Sequence, residues 1–310
     1  GDVKYHMGYS SDITTTEGKN VHLKLAPNPS HLEAVNPVVI GFVRAKLAAV
    51  HADDTSRIMP ILIHGDAAVA GQGIVYEVTQ MARLNGYTVG GTLHFVINNQ
   101  VGFTTDFHDA RSSTYCTDVA KIIEAPVFHV NGDDPEAVVF AVKLAVEYRQ
   151  KFKEDVFIDM VSYRRHGHNE SDEPKFTQPN LYNIIAKHPT PREVYIKLLL
   201  NRGDIEADLA EKMDSEFRAM LQDRLNMVKQ KPLPYAYQKL DQEWRELRKS
   251  TADDFNNSPE TAISEKTVEE VGKALTTIPE NFKPLKQIEK LLKDRQEMFF
   301  KTKMLNWAAG

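Results

Sequence analysis

The reading of the chain turns on "ILIHGDAAVAGQGIVYEVTQ", residues 61–80, and "VINNQVGF", residues 96–103. In each, an apolar run stops at polar residues: Asp66 in the first, Asn98 and Asn99 in the second. The enclosing runs, "RIMPILIHGD" and "GTLHFVINN", are short and apolar, as buried strands are. Between them "GIVYEVTQMARLNGY" sets Ile74, Val78, Met81 and Ala82 on one helical face, with Gly86 as the expected stop.

The same alternation continues downstream. "APVFHVNG" reads as a strand, and "DDPEAVVFAVKLAVEYRQKF" as a helix with an Asp cap and an early proline. "DVFIDMVSYRR" is a further strand that runs into the polar loop "HGHNESDEP". Upstream, "NPVVIGFVRAKLAAVHA" reads as a helix with Asn36 as N-cap and Pro37 at its first position, while residues 1–36 read as loop-rich. Strands alternating with helices predict an α/β fold, a doubly wound parallel sheet with right-handed crossovers, over residues 1–190. From residue 191 to 310 the composition shifts to charged amphipathic helices: "REVYIKLLL", "IEADLAEKMDSEFRAMLQDRLNMVKQ" and "LKQIEKLLKDRQEMFF". "KPLPYAYQ" and "FNNSPETA" separate them, and the segment is expected to be a solvated helical extension or linker.

Bulk properties narrow the function classes. The 310 residues suggest about two domains. A net charge of -5, with no long basic block, argues against nucleic-acid binding. Cys116 is the only cysteine, which rules out an internal disulfide framework and a thiolate zinc cluster. No apolar run approaches ~18 residues, so no membrane span is expected. The start at Gly1 and the end at "LNWAAG" read as those of a piece of a longer polypeptide.

In a parallel sheet, ligands sit outside the carboxyl ends of the strands. If the two strands are neighbours, Asp66 and Asn99 converge there. A carboxylate and an amide oxygen form a hard, oxygen-only donor set suited to magnesium, which commonly also binds phosphates. "AAVAGQG" between them allows close backbone approach and leads into a helix whose N–H groups favour an anion. A magnesium-bridged diphosphate satisfies all of these features. The triphosphate loop would need a terminal Gly-Lys-Ser/Thr, and the dinucleotide loop a third glycine where Tyr76 stands. Two other readings stay open on these residues. Asp66 could cap a helix with Asn98–Asn99 as a turn, or His64, Asp66, His166 and His168 could serve a metal-dependent hydrolase.

Longer strings carry a resemblance. Gly65–Asp66 followed by Asn98–Asn99 is similar to the thiamine-diphosphate signature, with Ala67 in place of its second glycine. "GDVKYHMGYSSD", "NPSHLEAVNPVV", "HGDAAVAGQG", "VINNQVGFTT" and "YRRHGHNESDEP" resemble the thiamine-diphosphate-dependent decarboxylases that form the first component of 2-oxoglutarate dehydrogenase complexes, in which Gly-Asp-Ala-Ala is usual. The likeness covers residues 1 to about 195.

The resemblance implies thiamine diphosphate and magnesium as cofactors. Asp66, Asn99 and the Val101 carbonyl would be the metal ligands; Ser30, Leu32, Ala67, Ala68 and His168 would adjoin the cofactor. His6 would be the catalytic histidine and contact the substrate, with His31 second to it. Ser10 and Ser30 would help hold 2-oxoglutarate. The implied reaction is decarboxylation of 2-oxoglutarate with succinyl transfer to the lipoyl group of a dihydrolipoamide succinyltransferase. A variant acting on 2-oxoadipate, one methylene longer, stays open. The full-length protein would be a homodimer in the bacterial cytoplasm or the mitochondrial matrix. A following pyrimidine-binding domain and an upstream Ala-His-Arg-Gly motif are absent from these residues, so the chain is expected to hold half of an active site. "FHDARSSTYCTD" is expected to be a flexible loop over the diphosphate, and His94, inside a strand, to be a core or surface residue.

Overall fold

The computed structural model describes residues 4–230 and 247–310, and "KPLPYAYQ" lies outside them. Its centre is a four-stranded parallel sheet of β3 (Ile61–Gly65), β4 (Leu93–Asn98), β7 (Val127–Asn131) and β8 (Val156–Val161), ordered β3-β4-β8-β7. Successive side chains on a strand point to opposite faces, and the core divides accordingly. On one face Val96 and Phe157 pack with Val69, Val75, Cys116, Val119 and Ala120. On the other, Leu93, Val130, Val156 and Ile158 pack with Ala141 and Ala145 of helix α5 (Pro135–Phe152). Helices α2 (Asp66–Gly71) and α3 (Gly73–Met81), with the 3₁₀ segment Cys116–Ile123, belong to the first face. Elements on both faces make the sheet doubly wound, as the alternating pattern predicts.

Local chemistry explains the boundaries and corrects four expectations. Asp134 caps α5 by accepting from the Ala137 N–H, as expected. Helix α1 spans Asn36–Val50, but Asn36 is its first residue rather than its cap; its amide donates to Glu33 Oε2 at 2.6 Å. Helix α3 stops at Met81, short of Gly86, and buries Val75, Val78 and Thr79 rather than the face through Met81 and Ala82. The small residues after Asp66 do not form a loop. Asp66 opens α2 directly from β3, and the helical path breaks at Gln72 (φ -97°, ψ 116°) before α3.

The first 36 residues hold more structure than a loop. β1 (Tyr9–Thr14) and β2 (Asn20–Leu25) form an antiparallel hairpin with Ser10 opposite Lys24 and Asp12 opposite His22. A second small hairpin, β5 (Val101–Gly102) with β6 (Thr105–Asp106), follows β4.

Contacts divide the chain into two compact units, Gly1–Lys239 and Leu240–Gly310, so the compositional shift at residue 190 falls inside the first. Helix α7 (Pro191–Arg202) is tied to α5 through Tyr195 and Arg202, both on Glu136. Helix α8 (Ala207–Gln230) exposes Met213, Phe217, Met220, Leu221 and Leu225, an apolar strip on an otherwise charged helix. In the second unit, helices Glu265–Thr276 and Lys286–Glu297 lead to a π turn, Met298–Thr302; the sequence reading passed over the first of them.

Candidate active site

Parallel pairing of β3 with β4 sets Gly65 opposite Ile97, so Asp66 and Asn99 emerge side by side past the carboxyl ends of adjacent strands. The structure therefore brings together the first two predicted metal ligands. Asp66 is 2% exposed. The backbone N–H groups of Asp66, Ala67 and Asn99 face its carboxylate, yet Oδ2 has no hydrogen-bond partner. Burial pushes the carboxyl above its usual range, against the opposing pull of Arg111 and those N–H groups. Asn99 Oδ1 accepts the Val101 N–H at 3.1 Å, closing the turn that carries the third predicted ligand. Val101 is buried, and a side chain added at Gly102 would meet the Ala67 methyl at 2.6 Å. Ala67 thus lies directly beneath β5, where a larger residue would not fit.

Asn98 belongs to the support beneath the site. Its amide donates to Asp159 Oδ1 at 3.1 Å; Asp159 is buried and also accepts from His129 Nδ1 at 2.9 Å. Cys116 Sγ–H points at the same carboxylate, 3.9 Å away, and burial pushes the thiol up to about 12. Cys116 is therefore an inert core group.

His168 lies seven residues past β8 rather than at its end, but its ring stands edge-on to Phe103 at 4.5 Å, just beyond Val101. Its own N–H is held by Asp172 at 2.8 Å. A cavity of about 680 Å³ opens nearby, lined by Arg165, His166, Glu170, Lys175 and Tyr182 among others; Asp66, Asn99 and Val101 do not line it.

The second predicted group assembles separately. His6 Nδ1 contacts the Asn28 carbonyl, and Nε2 lies 3.3 Å from Ser30 Oγ. A carbonyl only accepts, so Nδ1 carries the proton and Nε2 faces the Ser30 hydroxyl as an acceptor. His31 and Leu32 follow on an exposed turn. Ser10 is drawn elsewhere: its hydroxyl lies 3.1 Å from His22 Nε2, and His22 Nδ1 is 2.8 Å from Asp12. This Ser-His-Asp line sits on the open hairpin with the Asp12 side chain 81% exposed, unlike the buried acid of a hydrolase triad.

Sequence reasoning missed what joins the turn to the sheet. Glu33, at a left-handed φ of 65°, sends Oε2 to His64 Nδ1 at 2.7 Å. His64 Nε2 meets His94 Nδ1 at 3.1 Å, and His94 Nε2 meets Asp155 at 3.3 Å. Burial drives His94 toward its neutral form. Acid and histidines spaced thirty or more residues apart give no local signal for this line. The hydrolase reading fails here: His64 is committed to Glu33 and His94, and among the described residues no three His, Cys, Asp or Glu side chains gather to hold a metal.

Arg111 is the other missed residue. It comes from "FHDARSSTYCTD", which is not a free loop. Helix α4 (Phe107–Ala110) is capped by Asp106, Cys116 and Thr117 are buried, and Arg111 Nη1 reaches to 3.6 Å from Asp66 Oδ2.

Residues 1–236 match the family model described as dehydrogenase E1 component. The chain belongs to that family. It is 46% identical over 315 residues to the 2-oxoglutarate dehydrogenase E1 component of Haemophilus influenzae, covering 99% of this chain and 32% of that protein. The 2-oxoglutarate dehydrogenase E1 component of Brucella anthropi is 46% identical over 319 residues, 100% of this chain and 32% of the relative. The mitochondrial 2-oxoglutarate dehydrogenase of Dictyostelium discoideum is 45% identical over 314 residues, 100% and 30%. The chain thus spans about a third of the length of these relatives.

Membership in the E1 family implies thiamine diphosphate and magnesium in general. The residues present fit that pair: Asp66 offers a buried oxygen with no hydrogen-bond partner among the described residues, at the paired strand ends that also carry Asn99. Oxygen-only donors of this kind suit magnesium over zinc.

Proposed function

We propose that this chain carries the metal- and diphosphate-binding part of a 2-oxoglutarate dehydrogenase E1 component. The observation that carries the reading is the unsatisfied Asp66 Oδ2 beside Asn99 at paired parallel strand ends. In this reading Asp66, Asn99 and the Val101 carbonyl hold magnesium. Ala67 and Ala68 admit the diphosphate by their small size, His168 approaches it from beside Phe103, and Ser30 and Leu32 approach the cofactor from the Glu33-anchored turn. Residues 1–190 form the cofactor-binding domain and 191–310 the helical extension.

When bound, thiamine diphosphate supplies the carbanion and electron sink for 2-oxoacid decarboxylation. The protein's share is proton handling and positioning. His6 Nε2, already set as an acceptor by the Asn28 carbonyl, takes or returns a proton near the substrate. His31, on the same turn as Ser30, would be a second imidazole, and Ser30 would hold a substrate carboxylate together with Ser10 once Ser10 exchanges its contact with His22 for the substrate. Supporting this choice of substrate, the relatives named above are 2-oxoglutarate dehydrogenases. The succinyl group would pass to the lipoyl group of a dihydrolipoamide succinyltransferase, with the full-length protein a homodimer. A setting in the bacterial cytoplasm or the mitochondrial matrix is in keeping with the bacterial and mitochondrial relatives. No described helix is long and apolar enough to cross a membrane.

Carbon dioxide release by the full-length protein with an artificial electron acceptor tests the assignment. It should favour 2-oxoglutarate over 2-oxoadipate, and His6→Ala should lower kcat about 100-fold or more. Equal kcat/KM for the two acids would remove the substrate assignment.

A further inference from the structure

Among the described residues, the buried side-chain polar atoms left without a hydrogen-bond partner are three: Asp66 Oδ2, Arg111 Nε and Arg111 Nη1. They belong to one pair of facing residues, with side chains 2% and 8% exposed and 3.6 Å apart. That gap is too long for a hydrogen bond but well within Coulombic reach. Burying a carboxylate oxygen and two guanidinium nitrogens without hydrogen bonds is costly, and folds seldom leave such atoms in this state by accident.

The surroundings show how the pair is held. Arg111 lies over the Phe107 ring at 5.8 Å, a weak contact. Its segment runs between two fixed points. At one end Asp106 caps α4; at the other Cys116 and Thr117 are 1% exposed in the core. Asp66, by contrast, is gripped by backbone N–H groups of its own strand-to-helix junction. Of the two partners, only Arg111 sits on a connection that can move without unmaking the sheet.

We propose that Arg111 is a built-in counter-ion for the metal site. It covers Asp66 Oδ2 in the ligand-free chain, and a divalent cation displaces it. This rests on the reading of Asp66 as a metal ligand. A guanidinium and a divalent cation cannot share one carboxylate oxygen, because like charges repel, and the ion of higher charge density takes it. The released guanidinium brings two nitrogens with no hydrogen-bond partner, Nε and Nη1, to the mouth of the site, where a metal-borne phosphate offers oxygens. Metal binding is thereby coupled to the segment Phe107–Tyr115, and binding of the anion favours the released position.

Mn²⁺ binding followed by electron paramagnetic resonance, on the full chain, with and without inorganic diphosphate, tests this directly. With Mn²⁺ alone, Arg111→Gln should bind at least about fivefold more tightly than wild type, since the competing charge is gone. Arg111→Lys, which keeps the charge, should stay close to wild type. Added diphosphate should tighten Mn²⁺ binding more in wild type than in Arg111→Gln. Hydrogen exchange gives a second readout that needs no Arg111 variant: Mn²⁺ should speed exchange across residues 107–115 in wild type and leave Asp66→Ala unchanged. Equal or weaker Mn²⁺ binding by Arg111→Gln, or no change in exchange at 107–115 on saturation, would overturn the proposal. Mn²⁺ binding that survives Asp66→Ala would instead overturn the metal reading on which it rests.

Discussion

Two arginines are almost equally buried and entirely different in satisfaction. Arg149, 0% exposed, sits at the amino end of the parallel sheet, where its Nε donates to the Gly91 carbonyl at 2.9 Å. Nη1 donates to the Thr55 carbonyl and Gln150 Oε1, and Nη2 to the Ile58 and Val89 carbonyls. All five guanidinium protons are used, and α5 is stapled to the segments that feed β3 and β4. Arg111, at the carboxyl end, has two nitrogens with no acceptor and faces a carboxylate oxygen with no donor. The amino end of the sheet spends its buried charge on rigidity; the carboxyl end keeps polar valence open. A parallel sheet places ligands at that second end, so the open valence marks where something binds.

If this contrast is right, changes at the amino end should act on stability. Arg149→Met should have the largest effect, removing the donors of four carbonyls, those of Gly91 and Val89 in buried bonds and those of Thr55 and Ile58 in part-buried ones, and costing about 3–5 kcal/mol. Thermal unfolding should fall by roughly 10 °C, at 2–4 °C per kcal/mol for a unit of this size. Gly91→Ala should come next. Gly91 has φ +86°, and a Cβ there would sit 2.2 Å from the Glu154 carbonyl oxygen. A loss of about 1–3 kcal/mol is expected from the strained conformation alone. Glu33→Gln should cost about 1–2 kcal/mol, because a charge-assisted bond to His64 becomes a neutral one.

Cys116 gives the smallest effect and a pH signature. Its thiol is pushed up to about 12 by burial and by the adjacent Asp159 carboxylate, against 9.0 unperturbed. The unfolded chain therefore releases this proton at lower pH than the folded one. The contribution to stability is complete below pH 9 and is lost as pH rises toward 12. At pH 8 the folded chain should resist iodoacetamide and react only on unfolding; rapid labelling of native protein would show that the thiol is not core.

Much of this architecture was legible. The strands at 61–65, 93–98, 127–131 and 156–161 are short, mostly apolar runs between turn signals, each interrupted by a single polar side chain such as His64, His94, His129 or Asp159. The convergence of Asp66 and Asn99 followed from strand ends alone. The β1–β2 hairpin was not legible, since its residues are largely exposed and carry no alternating pattern. The alanines and glycine of α2 signal a flexible loop in the sequence, whereas the helix begins on the residue that follows the strand. Glu33 and Arg111 were invisible for a different reason. Each meets its partner across the fold, and a lone charge in a polar stretch has no local pattern to report.

The central claim is that Asp66 anchors a metal that in turn holds a diphosphate. Isothermal titration of thiamine diphosphate with and without magnesium, in wild type and Asp66→Ala, tests it most directly. Binding should require magnesium in wild type and be lost in Asp66→Ala, while the two proteins unfold within a few degrees of each other. Equal affinity with and without magnesium, or unchanged binding in Asp66→Ala, would contradict the account.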